Sequence, residues 1–102
     1  MAQKRALRLK PADNVATVLE PVEAGDQVAA RTGQDVVVVR ALETIPVFFK
    51  LAVEYIPEGA CVTKYGEPIG KASTAIAKGA MVHVHNIEGT RGRGDLAAGE
   101  KA

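Results

Sequence analysis

Prolines at positions 11, 21, 46, 57 and 68 divide the chain so evenly that a helix of ordinary length has almost nowhere to form. Only the stretch 69–78 escapes both a breaker and a turn signal. A second pattern lies across the first. The sequence aliphatic-x-x-Gly-x-x-Val occurs as Val22 to Val28 around Gly25, as Ile56 to Val62 around Gly59, and as Ile76 to Val82 around Gly79. A reverse turn between strands often needs a positive φ, which glycine adopts without steric cost, while the flanking aliphatics anchor the two strand ends in a core. The copies are irregularly spaced, which argues against a solenoid and for a compact domain with hairpin-like corners.

The segments between these corners read as strands. Val36 to Val39 is a β-branched run too short for a helix, and its composition predicts a strand buried on both faces. Apolar residues alternate or cluster in short lengths over 6–9, 15–19, 48–56, 60–64 and 81–85. No window carries a sustained helical stripe. The sequence therefore predicts a compact all-β domain with short hairpins and little helix.

Composition removes several classes of function. A formal charge of +1, with 25% charged residues, gives no electrostatic footprint for nucleic acid or for an anionic membrane. No apolar run approaches a membrane span, and no signal-peptide core follows the basic residues Lys4, Arg5, Arg8 and Lys10. The one cysteine, Cys61, has no partner within the chain. These features predict a cytoplasmic protein.

Residue types capable of chemistry concentrate in one region. Lys64-Tyr65-Gly66-Glu67-Pro68-Ile69-Gly70 is followed by Val82-His83-Val84-His85-Asn86, which holds both histidines. On a strand, positions i and i+2 share a face, so His83 and His85 would converge on one ion or one substrate. The bland reading has them as outward polar residues on a strand whose Val82 and Val84 face the core. Lys64 offers a point charge for a carboxylate, or is a solvated lysine beside a turn. Gly66, Pro68 and Gly70 suit a tight loop that a ligand or subunit can approach closely. Asn86 suits a cap or turn as well as a substrate contact, and Asp13-Asn14 suits a turn after Pro11. Lys50 follows Phe48 and Phe49, whose burial would aim it at the site, although a plain strand lysine is the better-supported reading of the residues alone.

These elements, with Asp13-Asn14-Val15-Ala16, Gly25, Ile45-Pro46, Lys50-Leu51-Ala52, Gly59, Ala72, Ile76 and Gly79, resemble the SAF domain of altronate and galactarate dehydratases over about residues 6–88. The resemblance implies a β-clip fold and a part in a metal-assisted hydro-lyase that converts a sugar acid to a 2-keto-3-deoxy acid. It also implies a separate large catalytic subunit, as in the related sulfolactate sulfo-lyases, with this chain as the small subunit, inactive alone. On that reading His83, His85 and Lys64 are catalytic, and Lys50, Tyr65, Gly66, Asn86, Arg91 and Arg93 bind substrate. A divalent metal, Fe²⁺, Mn²⁺ or Mg²⁺, would be held by His83 and His85 or mainly by the partner.

Two departures from the family pattern stand out. Phe48-Phe49-Lys50 occupies a place where the family commonly has Gly-His-Lys, and Met81 one where it has histidine. They favour a second function class, a non-catalytic module that binds a carbohydrate or a protein; an exposed Phe48-Phe49 pair would serve docking in either case. Residues 1–88 form the predicted domain and 89–102 a flexible tail. Arg91 and Arg93 in that tail carry guanidiniums suited to bidentate carboxylate binding or to clamping a subunit interface.

Overall fold

A computed structural model describes residues 3–88. Among these residues there is no helix, and the strands form two sheets. The chain runs β1 (Lys4–Leu7), β2 (Val15–Val18), β3 (Gln27–Thr32), β4 (Asp35–Arg40), β5 (Lys50–Ala52), β6 (Cys61–Lys64), β7 (Glu67–Ala72), β8 (Met81–Val82) and β9 (Ile87–Glu88). The larger sheet has the order β4-β3-β1-β2-β5-β8 and the smaller one β6-β7-β9. Only β1 and β3 pair in parallel; the other neighbours are antiparallel. The segment 69–78, the one candidate for a helix, is the second half of β7 and the turn that follows it.

The glycine turns organise the molecule, and there is one more of them than the glycines reveal. In each copy an amide closes a four-residue turn by donating three residues back: Asp26 to Glu23, Ala60 to Pro57 and Ala80 to Ala77, all at 3.0 Å. Gly25, Gly59 and Gly79 sit third in these turns with φ of 93°, 84° and 94°. Phe49 donates to Pro46 in the same way at 3.0 Å, with Phe48 third at φ 72°. Each third residue also donates to a residue seven positions before another turn's third residue: Gly25 to Ala41, Phe48 to Val18, Gly59 to Ala72 and Gly79 to Ala52, each at 2.8 Å. The aliphatic leading each turn pairs in the same pattern, Val22 with Ile45 and Ile56 with Ile76. The fold is thus built from four similar units, Val18–Gly25, Ala41–Phe48, Ala52–Gly59 and Ala72–Gly79, engaged two by two.

Two cores result. One gathers Ala6, Ala16, Val18, Val22, Val28, Ala30, Val39, Ala41, Ile45, Leu51 and Val53 under the larger sheet. The other gathers Val15, Ala52, Ile56, Val62, Ala72, Ile76 and Val82, where the β2, β5 and β8 end of that sheet meets the smaller one. Strands β2 and β5 serve both, because alternate side chains leave opposite faces. Val36 to Val39 forms a strand as expected, but not one buried on both faces. β4 lies at the sheet edge, so Val39 is buried while Val36 and Val38 are exposed. The predicted strand over 81–85 also stops early. β8 ends at Val82, and residues 83–86 form a turn closed by the Asn86 amide donating to the His83 carbonyl at 3.0 Å.

Candidate functional site

Two buried polar residues at the entrance to β2 position the Lys64-Tyr65-Gly66 hairpin. Asp13 is 1% exposed. Its Oδ2 accepts from the backbone amides of Lys10 at 3.2 Å and Tyr65 at 2.9 Å, and its Oδ1 from that of Gly66 at 2.8 Å. Asn14 continues the grip along β6. Its Nδ2 donates to the Cys61 carbonyl at 2.9 Å and its Oδ1 accepts from the Thr63 amide at 2.8 Å, beside the irregularity in the β6–β7 ladder between Val62 and Thr63. The two side chains do the work of a missing neighbouring strand, holding an edge that would otherwise have unpaired backbone groups. The Lys10 contact is the local turn that the sequence suggested; the partners on β6 and the hairpin lie 47 to 53 residues away and leave no local signal.

The hairpin so held has unusual backbone at its tip. Tyr65 and Gly66 have φ of 60° and 75°, the paired positive values of a tight hairpin turn whose first position suits asparagine better than tyrosine. The Tyr65 ring is half exposed, and Lys64 Nζ lies 4.7 Å from its centroid, within cation–π range.

Lys50 lies on β5, opposite Thr17 of β2 and Val82 of β8. It is half-buried, and burial, reinforced by the positive charge of Lys64, lowers its pKa below the usual lysine range. Ion pairs join Lys4 with Asp26 and Arg5 with Glu20. Lys50 is thus an ammonium partly withdrawn from water, with the positive charge of Lys64 acting on it.

The histidines frame this site differently from the expectation. His83 follows Val82, the β8 partner of Lys50, and its half-buried ring stacks on that of Phe49 with centroids 4.4 Å apart and planes tilted by 35°. Both histidines lie on a turn, where the same-face rule for strands does not hold; His85 is exposed, and Val84, expected in the core, is 75% exposed. Asn86 is buried, and both ends of its side-chain amide bind the turn: Oδ1 accepts from the His83 amide at 2.9 Å and Nδ2 donates to the Met81 carbonyl at 2.8 Å. Phe49 is half-buried against the first core, whereas Phe48 is 71% exposed. The expected pair is therefore one packed ring and one presented ring. Arg91 and Arg93, and the expected tail as a whole, lie outside the described residues.

The metal expectation can be set against these residues. Among the described residues no three His, Cys, Asp or Glu side chains converge as a metal site would need. His83 is engaged with Phe49, and Asp13 spends its carboxylate on backbone amides. The donor set present here does not fit a divalent cation, and no chemical step is assigned to one.

The all-β fold agrees with a comparison of the chain with known proteins. Residues 4–90 match the altronate/galactarate dehydratase SAF domain. The chain belongs to that family. It is 36% identical over 80 residues to the (2R)-sulfolactate sulfo-lyase subunit alpha of Chromohalobacter salexigens, covering 72% of this chain and 81% of that one. It is 32% identical over 85 residues to the altronate dehydratase of Bacillus subtilis and 36% identical over 80 residues to that of Escherichia coli. These stretches cover 83% and 78% of this chain but only 16% and 15% of the two dehydratases. The relatives are thus lyases or lyase subunits, and the SAF β-clip architecture is the one the sequence predicted. Among the described residues, no helix is long and apolar enough to cross a membrane.

Proposed function

We propose that this chain is the small component of a cytoplasmic hydro-lyase that removes water from a sugar acid of the altronate or galactarate type, acting with a larger catalytic chain. In this reading Lys50 and Lys64 receive the substrate carboxylate. What supports it is the family membership together with the placement of Lys50, half-buried on β5 opposite Val82, beside the Phe49–His83 stack. Altronate and sulfolactate, the substrates in the relatives' names, are both hydroxy carboxylates, which explains why one small domain would serve a dehydratase and a sulfo-lyase alike.

Dehydration requires a base to take the proton α to the carboxylate and an acid to protonate the departing β-hydroxyl. The resulting enol becomes the 2-keto-3-deoxy acid. Two ammonium groups on the carboxylate make that α-proton easier to remove, because negative charge flows onto the carboxylate as it leaves. His83, held by its stack on Phe49, is the imidazole best placed beside Lys50 to exchange a proton; Tyr65 and Gly66 form the wall on the Lys64 side. The larger chain supplies the remaining acid–base groups and any metal.

The test is to combine this chain with the large dehydratase-type chain of the same organism and assay altronate and galactarate for 2-keto-3-deoxy product. Lys50→Met is expected to lower kcat/KM about 10- to 100-fold, chiefly through KM, as loss of a carboxylate contact would. Full turnover in that variant, or no product with either acid, would sink the reading. Complex formation without turnover of any hydroxy acid would favour the non-catalytic binding module instead.

The lowered pKa gives a second check. Affinity for a carboxylate that needs protonated Lys50 is complete below the folded pKa and falls as pH rises through it, so the fall should begin below 10.5, the ordinary lysine value. Stability runs the other way. The folded protein resists protonating Lys50, so the penalty weakens as pH climbs from the folded pKa towards the unfolded one. In titrations of substrate affinity in the assembled complex against pH, Lys50→Arg should abolish the Lys50 step. A step persisting in the arginine variant would assign it to another group.

A further inference from the structure

Of the described residues, those other than glycine that adopt a positive φ are Phe48, two residues before Lys50, and Tyr65, next to Lys64, and both are exposed aromatics. Phe48 is the more revealing. It fills the third position of a turn whose counterparts hold Gly25, Gly59 and Gly79, with the same hydrogen bonds on either side. Left-handed backbone disfavours any residue with a Cβ, and a bulky one most. An exposed phenylalanine recovers little in return, since 71% of its surface remains in water. A strained backbone and an exposed ring at one position, where glycine serves in the sister turns, are the marks of a residue retained for something outside the folded domain. The neighbouring ring of Phe49 is turned inward onto His83, so Phe48 alone projects.

We propose that Phe48 is the aromatic anchor by which the larger lyase chain docks onto this domain, its ring entering an apolar pocket of that chain and closing the interface beside Lys50. The inference rests on the functional reading above. The occupant is specified by two facts already given: the relative matched over 81% of its length is one subunit of a sulfo-lyase, and the matched dehydratases carry this domain as 16% and 15% of a larger chain. A partly buried lysine site at the rim is also completed when a second surface covers it, which removes water from the ammonium–carboxylate contact. Aromatic side chains that seat in a partner's pocket dominate the energetics of such interfaces.

Phe48→Gly separates this role from a structural one, because the two predict opposite signs. Relief of one strained residue in a domain of this size should raise the melting temperature of the isolated chain by about 4–8 °C. The same substitution should weaken the dissociation constant for the large dehydratase-type chain at least tenfold, measured by calorimetry, while Phe48→Tyr retains binding. An unchanged dissociation constant for Phe48→Gly overturns the anchor while leaving the functional reading standing. Failure of the unsubstituted chain to bind the large chain overturns both. If light scattering shows the free chain to be a dimer that Phe48→Gly converts to monomer, the ring docks a second copy of this chain and the proposal is likewise overturned.

Discussion

Gly79→Ala is expected to cost about 3–5 kcal/mol, comparable to the whole stability of many small domains. Two penalties coincide at this position. The φ of 94° is unfavourable for any residue bearing a Cβ, and a Cβ built there would lie 2.1 Å from the Arg40 carbonyl oxygen, an approach that only backbone movement relieves. That carbonyl ends β4, and the next residues are tied down as well: Leu42 donates to the Gly79 carbonyl at 2.9 Å, and Gly79 itself donates to Ala52 at 2.8 Å. The turn is therefore wedged between the two cores and cannot move away from one without disturbing the other. Gly59→Ala is the internal control. Its φ is 84°, but nothing lies within 4 Å of an added Cβ, so it should cost only the backbone strain, about 1 kcal/mol. Urea unfolding of the two variants measures the contrast. Equal midpoints would mean that the Arg40 contact relaxes freely and that strain alone governs both sites.

Asp13→Ala should have the next largest effect on stability, about 2–4 kcal/mol, and should disorder the site hairpin in particular. The substitution removes the acceptor for the amides of Lys10, Tyr65 and Gly66 together. Hydrogen bonds to a charged acceptor are the stronger kind, and leaving donors unmet in a partly buried place adds to the loss. Tyr65 at φ 60° has no intrinsic reason to stay there once its amide is released. Amide exchange at Tyr65 and Gly66 should accelerate more than exchange in β3 or β4, and, if the proposed role of Lys64 holds, substrate affinity in the assembled complex should drop with it. Asp13→Asn offers a sharper version: the side chain keeps its shape, but its NH₂ must face an amide that also donates. If exchange accelerated uniformly through both sheets, Asp13 would be a general stabiliser with no special claim on the hairpin.

The sequence made the β class and three of the four turns readable because glycine and proline act locally, through their own φ preferences. The turn at Pro46 to Phe49 went unseen for the same reason. Its backbone imitates the glycine turns, but a phenylalanine occupies the diagnostic position, and only the hydrogen bonds disclose the equivalence. Alternation misled at the histidines: Val82-His83-Val84-His85 has the period of a strand, yet Asn86 folds its amide back onto the His83 and Met81 backbone and turns the chain. Val36 to Val39 misled through position, since no local pattern tells a central strand from an edge one. The motif singled out Lys64 and Tyr65, but how their hairpin is placed against the rest of the domain is a long-range property. Asp13 and Asn14 were noticed only as turn formers, because a side chain that reaches a strand some fifty residues on leaves no local trace.

The pairing of turns two by two carries a consequence for how the chain acquires its shape. Val22 meets Ile45 and Ile56 meets Ile76, so each couple can close within its own half of the sequence. Neither couple fixes the Lys64 hairpin: Lys50 comes with β5, Lys64 with the β6–β7 hairpin, and Asp13 and Asn14 at the start of β2 hold that hairpin in place. On the proposed reading, a domain whose second half had not yet closed would offer a companion chain an unplaced Lys64 hairpin, since long-range contacts are the slow ones to form.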